Sequence, residues 1–292
     1  MSKRGLVLGA GGVVGYAWTV CALRRLEMET GWDPRKADLV MGTSAGSILA
    51  TALAAGVSTS DLLESLRKSV RRGSAPDSRD HLPPRPYWRP LSLSMVRAGL
   101  RREIPFHAAM VGLLPEGRGD SAILARAVDK LVPEGRWVDH PNCLVVAVDC
   151  ESGKRVAFGR DEHTSSREAV RASCAVPGWY APIEIGGRRY MDGGAVSPTS
   201  LDLVEHEALD EVYVISPLTS TRYIRASSVG EFFERGLRHV MSGALEREVL
   251  RCERAGKRVL RIEPTAPELT LMGANFMDPR RRASMLDAWF PA

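Results

Sequence analysis

Two short apolar runs, each followed by a glycine turn and then a helical stretch, constrain this chain more than any other feature in it. Leu6-Val7-Leu8 leads into Gly9-Ala10-Gly11-Gly12, and from Tyr16 to about Glu29 apolar residues recur with helical spacing. Ala37 to Met41 then leads into Gly42-Thr43-Ser44-Ala45-Gly46, and Ser47 to Ala55, rich in Ala, Ile and Leu, reads as a helix stopped by Gly56. Short, continuous apolar strands suit a parallel sheet buried on both faces, and helices are the usual connection between parallel neighbours. The expected fold is α/β: a three-layer α/β/α sandwich with a central, mostly parallel sheet.

The rest of the chain extends that grammar with one interruption. Cys143–Val148 and Val212–Ile215 read as core strands, Arg155–Phe158 as extended chain, and Ile183–Met191 as a hairpin turned by Gly186-Gly187. Ser121–Leu131 reads as a helix, and Ser166 is expected to cap another that runs to Cys174. Val229–Arg254 has the pattern of a long amphipathic outer helix, and Arg258–Ile262 that of a late strand. Between about 70 and 120 the prolines at 76, 83, 84, 86, 90 and 105 forbid long regular elements. That stretch, at about 68–118, reads as a lid-like insertion over one end of the sheet, with a short helix near Leu93–Leu100. The whole chain, 1–292, is expected to be one domain with a helical C-terminal region at about 226–292.

Composition bounds the functional class. A hydrophobic content of 44% and a charged content of 26% allow a core of normal size. No apolar run approaches the ~18 residues of a membrane span, and no signal peptide is visible. The five cysteines, at 21, 143, 150, 174 and 252, form no CxxC pair, so a cytoplasmic chain without disulfides or zinc is expected. The net charge of +5 is uneven: ten of the Arg and Lys but only two acids lie between Arg67 and Arg102. Such a stretch is either a solvated loop or a peripheral contact with an anionic membrane, where each cation contributes about 1 kcal/mol. Tyr87 and Trp88 within it have the amphipathic character of interfacial aromatics. A nucleic-acid partner is not expected.

Three segments carry chemistry. Gly42-x-Ser44-x-Gly46, set between an apolar strand and an Ala-rich helix, has the form of a nucleophile elbow, where glycines clear the strained turn and the helix N-terminus faces the serine. Gly9-Ala10-Gly11-Gly12 lets successive N–H groups converge on one anionic point, as an oxyanion hole requires. The same loop resembles a dinucleotide-binding turn, with Glu27 and Glu29 near the distance of a ribose-binding acid, although Val14 stands where that fingerprint needs a glycine. Asp192-Gly193-Gly194 is on turn statistics a simple turn.

In order and spacing these segments resemble those of the patatin-like phospholipases, as does Ala172-Ser173-Cys174-Ala175-Val176-Pro177 ahead of the aspartate. The resemblance covers roughly residues 5–217. It implies that Ser44 is the nucleophile and Asp192 its base in a dyad without histidine. It also implies an oxyanion hole around Gly11 and Gly12, aided by Ala45, and a lipid ester as substrate with no metal or organic cofactor. Gly9, Gly42, Gly46, Gly193 and Gly194 then support those motifs. Val14 replaces the basic residue that many members carry, which removes a charge that could face a phosphate. Other readings stay open: a His-dependent triad using His206 or His239, an NAD(P)-binding oxidoreductase built on the first loop, and a catalytically idle lipid-binding module.

Overall fold

The computed structural model describes residues 2–72, 87–221 and 229–290, with only the backbone of Trp88, of residues 229–231 and of 233. The middle of the basic stretch, including Arg79, Arg85, His81 and four of its prolines, lies outside the described residues.

The two opening units fold as strand-turn-helix pairs. β1 (Arg4–Leu8) feeds α1 (Gly12–Thr30), and β2 (Leu39–Thr43) feeds α2 (Ala45–Ala54). α1 begins at Gly12, four residues before the apolar periodicity becomes visible. Glycine is a poor helix former, by about 1 kcal/mol against alanine, so the start is hidden in the sequence. A tertiary contact holds it: the Val14 N–H donates to the Phe276 carbonyl at 3.0 Å. Helix α3 (Thr59–Arg71), which the sequence reading passes over, is capped by the Ser58 hydroxyl and buries Leu62, Leu63 and Leu66.

Among the described residues the interruption forms short elements. β3 (Tyr87–Pro90), α4 (Leu93–Leu100), α5 (Phe106–Val111) and β4 (Pro115–Glu116) follow one another, and β3 pairs antiparallel with β4 apart from the main sheet. Leu91, Met95, Ile104 and Ala108 of this insertion pack on Val148, Cys150 and Met191. Regular alternation then resumes with α6 (Ala122–Asp129), β5 (Cys143–Asp149), β6 (Arg155–Phe158), α7 (Ser166–Ser173), β7 (Ile183–Ile185), β8 (Arg188–Asp192) and β9 (Glu211–Ile215). The cap of α7 is Ser165, not Ser166: the Ser165 hydroxyl accepts from the Glu168 N–H at 3.2 Å. Ser166 instead turns inward and accepts from the Val138 N–H at 2.9 Å. α8 (Val229–Arg254), β10 (Arg258–Ile262), α9 (Ala266–Met272) and α10 (Arg281–Trp289) complete the chain.

The main sheet runs β10-β9-β1-β2-β5-β8-β7, with β6 also paired to β5. The pairs from β10 to β5 are parallel; β5–β6, β5–β8 and β7–β8 are antiparallel. Side chains of a strand alternate between faces. Leu6 and Leu8 accordingly join a cluster with Trp18 of α1 and Leu49 of α2, while Val7 and Met41 join one with Leu201 and with Leu245 and Val249 of α8. Two separate cores on opposite faces of one sheet make the three layers. Each fully buried Leu, Val or Met adds about 1.5–3 kcal/mol. No described helix is long and apolar enough to cross a membrane.

Candidate active site

Sheet register brings the two distant motifs together. Thr43 of β2 lies opposite Val146 of β5, and the next β5 residue, Ala147, lies opposite Asp192 of β8. Ser44 follows Thr43, so it stands level with Asp192 two strands away. With strands ~4.8 Å apart, their backbones are separated by about 10 Å, a gap that two side chains can close.

Ser44 has φ 54° and ψ −124°, a positive φ for a residue with a side chain. Such a conformation costs about 1–3 kcal/mol and persists only where the surroundings impose it. Here they do. A Cβ at Gly42 would run into the Gly46 carbonyl, and one at Gly46 into the Leu8 carbonyl of β1, so both glycines allow the turn to close against the sheet. The Ser44 N–H donates to the Ser173 hydroxyl at 2.9 Å, and that hydroxyl donates to the Val146 carbonyl at 2.6 Å. The Ser47 hydroxyl donates to the Ser44 carbonyl at 2.6 Å.

Asp192 is held from the same segment. Its N–H donates to the Ala175 carbonyl at 3.0 Å, and its Oδ1 accepts from the Gly194 N–H at 2.7 Å. Ser173 and Ala175 therefore fix the serine and the aspartate to one another. Both Ser44 and Asp192 are only 4% exposed. Burial pushes the Asp192 carboxyl up to about 7, against the lowering influence of the nearby Ser44 hydroxyl and of the Gly194 amide. A carboxylate that changes protonation near neutrality is suited to taking and returning a proton.

The first glycine loop is pinned at its base and open at its tip. Gly9 N–H donates to Ile215 and Ala10 N–H to Pro198, at 2.9 and 2.7 Å. Among the described residues nothing accepts from the amides of Gly11, Gly12, Val13 or Ala45. Gly12 has φ 58°, and a Cβ there would strike Phe276 and Met277. The Val13 amide, which the sequence reading does not single out, is unclaimed with the others.

Two apolar cavities meet at this point. One, of about 260 Å³, is bordered by Ala45, Ile48, Leu124, Ala127, Tyr180 and Met277. The other, of about 270 Å³, contains Asp192 and is bordered by Val111, Leu114, Trp179, Leu237 and Phe276. Gly12, Ser44 and Val176 belong to both. Together they fall within the ~300–1,000 Å³ usual for small-molecule sites.

The competing histidines and acids lie elsewhere, and Cys174, which borders the first cavity, is unsuited. His206 and His239 are exposed, and no described histidine borders either cavity. Glu27 and Glu29 sit at the far end of α1, paired with Arg24 and Arg25. At 1.5 Å per residue that is about 22 Å or more from Gly12, and Ser44 occupies the tip of β2 where a ribose-binding acid would stand. Cys174 is buried beside Ser47, and burial raises its thiol pKa, so it is no competing nucleophile. No group of three His, Cys, Asp or Glu among the described residues could hold a metal.

Sequence reasoning missed the positioning roles of Ser173, Ser47 and Ala175. The Ala-Ser-x-Ala segment was a visible signal for two of them; nothing local marks Phe276 or Met277, which reach the loop from the far end of the chain.

Among solved structures, the crystal structure of VipD from Legionella pneumophila aligns over 99% of this chain and 67% of its own, at 15% identity and a TM-score of 0.43. The family model for patatin-like phospholipases matches residues 6–204, from the first core strand past the Asp192 turn, and the chain belongs to that family.

Proposed function

We propose that this protein is a serine lipid-acyl hydrolase that cleaves carboxylic esters through an acyl-enzyme on Ser44, with Asp192 as its only side-chain base. The observation that carries the reading is the sheet register that sets the buried Asp192 carboxyl level with Ser44, a serine held at a strained turn beside unclaimed backbone amides.

In the first half-reaction the Ser44 proton passes to Asp192 as Oγ bonds to the ester carbon, and the carbonyl electron pair moves onto oxygen. The amides of Gly11, Gly12 and Ala45 meet that oxyanion, each worth about 3 kcal/mol of barrier. Collapse breaks the carbon–alkoxy bond, and Asp192 returns the proton to the departing alcohol. In the second half-reaction Asp192 takes a proton from water as the water oxygen bonds to the acyl carbon, and it returns that proton to Ser44 Oγ as the acyl carbon–Oγ bond breaks and the acid leaves. Neither half needs a metal or an organic cofactor.

A peripheral lipid contact fits the insertion. Leu100 and Phe106 are 81% and 76% exposed, and Arg97, Arg101 and Arg102 are exposed beside them. Exposed apolar and cationic side chains close in sequence suit an anionic lipid interface.

The test is fluorophosphonate labelling with turnover of a short-chain nitrophenyl ester. Ser44→Ala is expected to abolish both. Labelling that survives this substitution overturns the reading, and liposome binding by a wild type without labelling or turnover identifies an idle lipid-binding module.

A further inference from the structure

We infer that the two cavities divide the substrate at its scissile bond: the acyl chain occupies the cavity of Ile48, Leu124 and Ala127, and the leaving alcohol the cavity of Asp192. The substrate class is then an ester with an apolar group on each side. This rests on the Ser44–Asp192 reading above.

The first argument is proton bookkeeping. The departing alkoxide needs a proton as its bond to carbon breaks, and Asp192 holds the one it took from Ser44. The alkoxide must therefore lie on the Asp192 side. Asp192 and Gly194 border the larger cavity, and neither borders the smaller.

The second argument is the geometry of the tetrahedral carbon. It carries four substituents. Ser44 Oγ is one, the oxyanion facing the Gly11 and Gly12 amides is the second, and the alkoxy oxygen facing Asp192 is the third. The acyl carbon is left with the remaining direction, past Ala45 and Val176 into the smaller cavity.

The third argument is lining. Ile48, Leu124, Ala127 and Met277 border the acyl side, and Val111, Leu114, Leu237 and Phe276 the alcohol side. A small polar alcohol would leave that second wall in contact with water, whereas an apolar one removes both surfaces from it. Arg282 also borders the acyl side, but its guanidinium donates to the Pro279 carbonyl and the Ser69 hydroxyl, at 3.1 and 3.0 Å. Leu114 and Leu237 are 45% and 41% exposed, which puts the mouth of the alcohol cavity at the surface. Leu237, Phe276 and Met277 come from beyond residue 204, outside the stretch that matches the family. The rest of both walls, including Ile48, Leu124, Ala127, Val111 and Leu114, lies within that stretch.

The test compares ethyl dodecanoate, with its long acyl chain, and dodecyl acetate, with its long alcohol, on wild type, Ala127→Trp and Leu114→Trp. Both positions are exposed at their cavity rims, and fluorophosphonate labelling of each variant checks that the site is intact. A second pair, Ile48→Phe and Leu237→Phe, serves if a tryptophan variant does not fold. Ala127→Trp is expected to lower kcat/KM for ethyl dodecanoate by about tenfold relative to dodecyl acetate, the exclusion of roughly two methylenes. Leu114→Trp is expected to do the reverse. With hexanol added as acceptor, Leu114→Trp is expected to lower the ratio of hexyl ester to free acid formed, and Ala127→Trp to leave that ratio unchanged. Reversed preferences, or equal losses on both esters in variants that still label, overturn the division of the cavities while leaving the dyad standing. A wild type that neither labels nor turns over ester strikes the dyad itself.

Discussion

Ser44 and Asp192 are each 4% exposed, whereas Leu100 in the insertion is 81% exposed and Leu237 on α8 is 41% exposed. The contrast extends to the backbone. Around the serine, the N–H, the carbonyl and the flanking glycines are all committed to neighbours in β1, β5, α2 and α7. The outer walls are built from the insertion, from α2 and α6, from the segment 176–180 and from residues after 204, and several of their side chains face open space. Chemistry needs groups held to fractions of an ångström in a water-poor setting, while selection among lipid chains needs only shape and apolar surface. In the proposed reading the interior supplies the first and the rim the second.

Substitutions at the centre should therefore cost far more than those at the rim, and the order of effects tests the comparison. Asp192→Asn is expected to lower turnover of a nitrophenyl ester at least ~100-fold, the low end for loss of a general base. It should also raise stability. The folded pKa of Asp192, about 7, exceeds its unfolded value of 3.8, so the folded state holds the proton more tightly. Wild-type stability is then highest below the unfolded pKa and falls as pH rises to about 7, by up to ~4 kcal/mol at 1.36 kcal/mol per unit. Melting curves of both proteins should diverge across that window in favour of the asparagine variant. Equal curves would mean that burial of this carboxylate carries no cost.

Gly46→Val forces a side chain into the Leu8 carbonyl and is expected to destabilise by about 1–3 kcal/mol or more in urea unfolding. Ser173→Ala leaves the buried Ser44 N–H without its partner, a loss of about 1–3 kcal/mol. In the proposed reading its signature is a fall in kcat with little change in KM, because Ser173 holds the Ser44 backbone and does not border either cavity. For the wild type, kcat/KM is expected to fall about tenfold per pH unit below about 7 and to level off above it, as the Asp192 carboxylate must be ionised to act. A profile flat from pH 5 to 8 would remove Asp192 from the base role. At the other extreme, Leu100→Gln is expected to change stability by no more than about 0.5 kcal/mol and to act only on liposome binding. If it unfolds the protein, centre and rim do not differ as described.

How much of this was legible in the chain follows the same division. The elbow at Gly42–Gly46, the hairpin at Gly186-Gly187 and the helix at Leu93–Leu100 could be read directly, since each depends on local sterics or on a short apolar period. The helical start at Gly12 and the cap at Ser165 could not, because a contact from Phe276 and the inward turn of Ser166 override local preference. Val13, Ser47 and Phe276 entered the site for the same reason.

What the sequence determined alone is therefore local: which residues can form a strained turn, which loop leaves its amides unclaimed, and which strands belong inside a sheet. The tertiary structure decided that Asp192 stands level with Ser44, that a serine 129 residues away pins the elbow, that burial lifts a carboxylate toward neutrality, and that the end of the chain walls both cavities. Register and burial are properties of the packed sheet. No local window of residues contains them, because they arise only when strands remote in sequence share hydrogen bonds and exclude water together.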